Sequence, residues 1–191
     1  MLRLQLNPHF MFNSLNNIAT QIPDQPDTAL EMTHDLADFL RYSLDQRGGL
    51  IRPLAHEVEV MTTYLKIEKL RFGDRLQYSV EVDAAARTVP VPSFLLQPLA
   101  ENAVKHGLYS AEPPWLLDVC VKFSGGQLVI QMSNSGRLEP DWATKADIGI
   151  GVANLRRRLA LHYPARHRFE LRQEGALVCA EIMLEGEPCP V

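Results

Sequence analysis

The 191-residue sequence predicts an α+β protein, in which a two-helix hairpin precedes a sandwich of helices on a mixed, mostly antiparallel sheet. Three observations lead there. The first half carries apolar residues at helical spacing, punctuated by prolines and by Gly48 and Gly49. From residue 75 onward the spacing becomes alternating, with glycine turns suited to hairpins. Two long helical segments interrupt the strands, and no G-x-x-x-x-G-K-[ST] stretch or glycine-rich first turn marks a parallel nucleotide-binding sheet.

Taken in order, residues 2–22 read as a helix, with Pro8 bending it or marking its true start and Pro23 stopping it. Residues 27–46 follow, opened by Asp27 as a cap and carrying Leu36, Phe39, Leu40, Ser43 and Leu44 at helical spacing. Two antiparallel helices joined by a proline turn make a natural dimerisation element. A third helix spans 53–72, with Pro53 at its start and Leu54, Val58, Met61 and Leu65 as its stripe. Leu76, Tyr78, Val80 and Val82 then alternate as a half-buried strand. Pro90 and Pro92 bracket a break, and 93–107 reads as a helix ended by glycine. Strands at 116–123 and 128–132 form a hairpin across Gly125 and Gly126, and 133–150 reads as a long polar loop of the lid or binding kind. A basic helix at 151–163 and a closing hairpin, 169–173 with 177–184, complete the pattern. The expected parts are therefore 1–50, a two-helix dimerisation region; 51–74, a connector helix; 75–185, the α/β domain; and 186–191, a disordered tail.

Composition narrows the function classes. Hydrophobic residues at 46% and charged residues at 22% describe an ordinary globular chain. A net charge of −4 argues against direct nucleic-acid binding, which relies on a basic surface. No apolar run approaches the ~20 residues that span a bilayer, and the break at Asn7 and Pro8 is unlike a signal peptide. Three scattered cysteines, Cys120, Cys179 and Cys189, make neither a disulfide framework nor a metal-ligand spacing, so a reducing, cytosolic-side location is expected.

Four segments carry candidate chemistry. Within 101–107, Leu96, Ala100, Ala103 and Gly107 fall on a packing stripe, while Asn102, Lys105 and His106 point away from it. An amide oxygen, an ammonium and an imidazole on one face suit a Mg²⁺-bound phosphate chain. The same residues also read as a surface pair, Glu101 with Lys105, and a helix C-terminal cation, His106. Gly149 and Gly151 stand at a loop-to-helix junction that permits close approach of phosphate, or simply a turn. Asn134, ahead of Ser135 and Gly136, has the hydrogen-bonding edge to read a nucleobase, or to make a turn of its own. His9, with Asn7 and Asn13 nearby, is a nucleophile available at neutral pH, or a structural histidine.

These segments, in this order, resemble the cytoplasmic part of LytS-type sensor histidine kinases. Residues 4–16, with Asn7, Pro8, His9, Phe10, Phe12 and Asn13, are similar to the family's phosphoacceptor motif. Residues 64–75 resemble its connector, 92–107 its N box and 149–159 its glycine box. The resemblance implies a dimerisation and phosphotransfer hairpin followed by a GHKL (Bergerat-type) ATPase domain. It further implies autophosphorylation of a histidine by ATP and Mg²⁺ in a homodimer. Transfer then follows to an aspartate of a response regulator, often one with a LytTR-type DNA-binding domain. By position, His9 becomes the acceptor, Asn102 the Mg²⁺ ligand, and Lys105 and His106 neighbours of the phosphates. Glu101 orients water or metal, and Gly149 and Gly151 flank the lid. A membrane-anchored parent, with this part facing the cytoplasm, is what the resemblance leads one to expect.

The pattern departs from the family at several points. Asn134, Ser135 and Gly136 stand where many GHKL proteins begin an Asp-x-Gly-x-Gly box, so an amide replaces the acid that reads adenine and loses its charge assistance. Asp147 replaces a further glycine, the lid is short, and no phenylalanine-rich box is evident. Phe10 follows His9 where other histidine kinases place an acid. Asn13, one turn on, is a candidate for orienting a water against a phospho-aspartate, that is, for phosphatase activity. The alternative function is a non-catalytic module in which ATP is a conformational effector; a dimer domain that binds no nucleotide is a third.

Overall fold

The computed structural model describes residues 8–44, 50–138 and 150–189. Helix α1 (Pro8–Gln21) begins at Pro8, whose fixed φ and missing N–H suit a first turn. Helix α2 (Pro26–Leu44) returns alongside it, and α3 (Leu54–Phe72) packs on both. Aromatic residues join the three. Phe10 lies with its ring centroid 5.1 Å from Phe39 and 5.1 Å from Tyr64, and all three side chains are buried. Met32, Leu36 and Phe39 recur along the buried face of α2 at the spacing of an amphipathic helix. Helix α3 ends at Gly73, whose φ of 58° is readily reached only without a Cβ.

Between α2 and α3 lies an element that the proline-rich sequence hides. Residues Ile51–Pro53 form strand β1, which pairs antiparallel with β3 (Pro90–Pro92), Arg52 opposite Val91. The expected break at Pro90 and Pro92 is thus half of a two-stranded ribbon. It tolerates proline because each strand has an unpaired edge. The Leu54 N–H extends the tie to the Val89 carbonyl at 2.9 Å.

The main sheet has the order β2-β4-β5-β7-β6, from β2 (Leu76–Val82), β4 (Trp115–Ser124), β5 (Gln127–Ser135), β6 (His167–Glu174) and β7 (Leu177–Glu185). Only β2 with β4 is parallel; the other three pairings are antiparallel, as expected from the hairpin pattern. Helices α4 (Gln97–Ser110) and α5 (Ile150–His162) cover one face. That face is lined by Leu117, Val119 and Val121 of β4, Leu128, Ile130 and Met132 of β5, and Ala180, Ile182 and Leu184 of β7. Leu96, Leu99, Ala100 and Ala103 meet them from around α4, and Leu155, Leu159 and Tyr163 from around α5. The opposite face is polar, with Arg172 beside Glu181 across β6 and β7.

Two ends differ from expectation. The polar stretch read as loop from residue 133 is strand up to Ser135, with Asn134 opposite Leu117 and Val178. The tail expected to be disordered folds back at Cys189, whose N–H donates to the His162 carbonyl at 2.7 Å. Of the loop expected at 133–150, residues 139–149, Gly149 included, lie outside the described residues.

Candidate functional site

Helix α4 presents the polar residues of the N-box-like segment on a single stripe. Pro98, Asn102 and His106 stand four residues apart, with Lys105 beside them. Asn102 is half-buried, and Lys105 and His106 are exposed. At the upstream end of the stripe, α5 comes in close: a Cβ on Gly151 would lie 3.3 Å from the Pro98 Cβ. Gly151 therefore lets the N-terminus of α5, whose first-turn N–H groups have no partner within the helix, approach α4. At the downstream end, α4 rests on the tip of β5. A Cβ on Gly107 would meet the Ser135 carbonyl oxygen at 3.1 Å and Asn134 Nδ2 at 3.7 Å. Asn102, Lys105 and His106 thus run between a helix N-terminus and the tip of β5.

Asn134 is 8% exposed, on the helix-covered side of the sheet. Its Nδ2 donates to the Ser135 carbonyl at 2.9 Å, which fixes the amide and leaves Oδ1 as its acceptor end. Gly136, at a φ of 147°, is held by its N–H on the Ala176 carbonyl and by Gln173 Nε2 on its own carbonyl, at 3.1 Å each. Asn134 thus lies beside the Gly107 end of α4, and Gly136 follows it two residues on.

Glu101 faces differently. Its Oε1 accepts from Gln97 Nε2 at 2.7 Å, and its electrostatic neighbours are Tyr64 and Glu68 of α3. Burial raises the carboxyl of Glu101 above the usual range, and burial raises that of Glu68 despite Arg71 at 3.3 Å. His9 is the second residue of α1, where its backbone is helical; its side chain lies outside the described part. The adjoining Phe10 ties that end of α1 to α2 and α3. Asn13, one turn on, is half-buried.

One buried cluster escaped the sequence reading. Glu57 of α3 is 1% exposed, and its two carboxylate oxygens accept four hydrogen bonds. Oε1 takes the Phe94 N–H at 2.8 Å and the Tyr42 hydroxyl of α2, while Oε2 takes the N–H groups of Leu95 and Leu96 at 2.6 and 3.2 Å. Arg158 of α5 closes the cluster by donating to the Phe94 carbonyl at 2.6 Å. A signal was present: Glu57 and Glu68 both interrupt the apolar stripe of α3 at core positions, where an acid stands only with partners.

Substituting Gly107 by Ala tests the seat of α4. The added methyl presses on a backbone oxygen, an overpacking cost of about 1–3 kcal/mol, against which helix propensity returns about 1 kcal/mol. A net loss of about 1 kcal/mol in denaturant unfolding is expected, together with weaker binding of any ligand held along the stripe.

The first 76 residues match the family model described as Histidine kinase. Sensor histidine kinase YpdA of Escherichia coli K12 is 30% identical over 169 residues, covering 85% of this chain and 30% of that protein. Sensor protein LytS of Staphylococcus haemolyticus is 29% identical over 193 residues, covering 95% of this chain and 33% of that protein. The chain thus spans about a third of the length of these relatives. Among solved structures, the Acinetobacter baumannii histidine kinase AdeS superposes with a TM-score of 0.56 at 13% identity, over 87% of this chain and 82% of that one. The fold is therefore that seen in solved histidine kinases, a helical hairpin joined to a sandwich of helices on a mostly antiparallel sheet. In sequence the chain is similar to sensor histidine kinases along most of its length, with relatives named LytS among several others. Among the described residues, no helix is long and apolar enough to cross a membrane.

Proposed function

We propose that this chain is the core of a LytS-type sensor histidine kinase, which phosphorylates His9 from ATP and passes the phosphoryl group to an aspartate of a response regulator. The observation that carries the proposal is the α4 stripe: Asn102, Lys105 and His106 set between the α5 N-terminus at Gly151 and the Asn134 end of β5. The donor set fits a magnesium nucleotide. One amide oxygen, two groups able to carry positive charge and a helix N-terminus suit a phosphate chain, and a fixed amide acceptor at Asn134 suits an exocyclic amino group. Asn102 would hold the Mg²⁺, which when bound neutralises charge on the phosphate oxygens.

The chain's own residues do the remainder. Lys105 and His106 offset phosphate charge, and Glu101, half-buried behind the stripe, orients the metal or its water. Gly136 shapes the nucleoside end, and Gly149 and Gly151 would flank the lid and its phosphate-facing helix. His9 attacks in line: a nitrogen–phosphorus bond forms as the bond to the departing ADP oxygen breaks. Because Phe10 seats α1 on α2 and α3, delivery of His9 requires the hairpin and the sandwich to move relative to each other. Asn13 is the candidate for orienting a water against the regulator's phospho-aspartate, a separate phosphatase reaction that releases inorganic phosphate. Homodimerisation through the hairpin is supported by Phe12 and Leu15 of α1 and Ile22 just past its end, which are large, apolar and exposed. The response regulator, one with a LytTR-type DNA-binding domain, and the membrane-anchored parent follow from the resemblance. The replacement of the adenine-reading acid by Asn134 favours, as second reading, a module for which ATP is an effector.

Titration with a fluorescent ATP analogue and Mg²⁺ tests the site. Asn134→Asp should tighten binding about fivefold through a charge-assisted bond. The same change should cost the free protein about 1–3 kcal/mol, because the acid cannot donate to the Ser135 carbonyl. No binding by the unaltered chain would contradict both readings. Binding that never labels His9 would favour the effector.

A further inference from the structure

We infer that Tyr42 and Glu57 are positioning residues, which hold the N-terminus of the nucleotide-site helix in place and tie it by a hydrogen bond to the dimerisation hairpin. The inference rests on the functional reading of α4 given above. Its own observation is the buried cluster at residues 94–96, which none of the nucleotide-site residues belongs to.

The turn leading into α4 is an improbable piece of backbone without help. Phe94 has a φ of 60°, a conformation costly for any residue with a side chain, and it persists only where its surroundings over-determine it. Those surroundings come from three helices. Glu57 of α3 collects the N–H groups of 94, 95 and 96, which no turn of helix could satisfy from within. Arg158 of α5 holds the Phe94 carbonyl and stacks its guanidinium over the Phe94 ring. Tyr42 of α2 packs its ring 5.3 Å from that of Phe94 and donates its hydroxyl to the same Glu57 oxygen that serves Phe94. Burial keeps that hydroxyl protonated, so it is a donor at every working pH.

The consequence lies in the wiring. Tyr42 stands in the last turn of α2, the helix that leaves the hairpin. Asn102 stands two turns into α4, which starts directly after the turn Glu57 grips. A shift of the end of α2 that withdraws the hydroxyl removes one of four donors from Glu57 and frees the carboxylate to move. The three amides it holds then loosen, and the phosphate-facing stripe loses its fixed start. Glu57 and Tyr42 touch no nucleotide in this scheme; they act through the pose of α4.

The test uses the full 191-residue chain with Tyr42→Phe, Glu57→Gln and both changes together. Amide hydrogen exchange is read at residues 94–96 and in β5 and β7, alongside the Kd for MgADP. Tyr42→Phe keeps the ring and loses only the hydroxyl. It should speed exchange at 94–96 about tenfold, leave β5 and β7 at their original rates, and raise the MgADP Kd severalfold. Glu57→Gln places an amide donor against donors and should do more. The double variant should equal Glu57→Gln alone, because the hydroxyl acts only through Glu57. Equal exchange at 94–96 and an equal Kd in Tyr42→Phe would overturn the inference alone. Faster exchange spread evenly over the sheet would also overturn it, as mere destabilisation. If the unaltered chain binds no MgADP, the functional reading of α4 falls and this inference falls with it.

Discussion

Asn102→Ala should lower the rate of His9 phosphorylation by about a hundredfold or more while leaving the fold intact. The side chain is half-buried on the polar stripe of α4 and belongs to no core cluster, so its removal opens no cavity. Alanine is the better helix former, and a stability change within about 0.5 kcal/mol is expected from denaturant unfolding. On the proposed reading, what is lost is the side-chain oxygen that would hold the metal. Metal stabilisation of charge in phosphoryl transfer amounts to several kcal/mol, and misplacing the ion forfeits a large part of it. Initial rates at saturating ATP and Mg²⁺ check the claim. A loss of less than about fivefold, with stability unchanged, would place the metal on other residues.

Phe10→Ala should be the most destabilising single change in the hairpin, at about 3–5 kcal/mol. Its ring is buried and tilted against Phe39 and Tyr64, joining α1, α2 and α3 at one point. Aromatic pairs of this geometry contribute about 0.5–1.5 kcal/mol beyond their buried area. Of the first-turn side chains described, Phe10 is buried and Met11 is not, so α1 should detach at the end that bears His9. Denaturant unfolding followed by far-ultraviolet circular dichroism measures the loss, and amide exchange along α1 shows where it falls. A cost under about 1 kcal/mol would mean that α1 is held by its partner in a dimer instead of by α3. Phe12→Ala, at a site 67% exposed, separates the cases: it should matter only if a second copy covers that face.

The hairpin, the sandwich and the polar stripe of α4 were legible because each has a periodic signature. Leu36 and Phe39 mark a helix face, Val119 and Val121 a strand face, and Gly107 the close packing of α4 on β5. The short ribbon of β1 and β3 was not legible, since three residues containing proline resemble a break more than a strand. The end of β5 was misread for a related reason. Alternation continues through Ser133, Asn134 and Ser135, but with polar residues on both faces it looks like loop. The Glu57 cluster depends on contacts between residues 15 to 64 positions apart, and no local pattern reports them. A buried acid on the α3 stripe was the available clue. His9 and Asn134 owe their proposed roles to motif resemblance; period and burial alone leave either as an ordinary polar residue.

The most direct measurement is incubation of the chain with γ-labelled ATP and Mg²⁺, beside His9→Gln and Asn102→Ala. The account predicts acid-labile label on the unaltered chain, none on His9→Gln and almost none on Asn102→Ala, with all three equally folded. Label that persists in His9→Gln, or that is stable to acid, would contradict the assignment of His9 as phosphoryl acceptor.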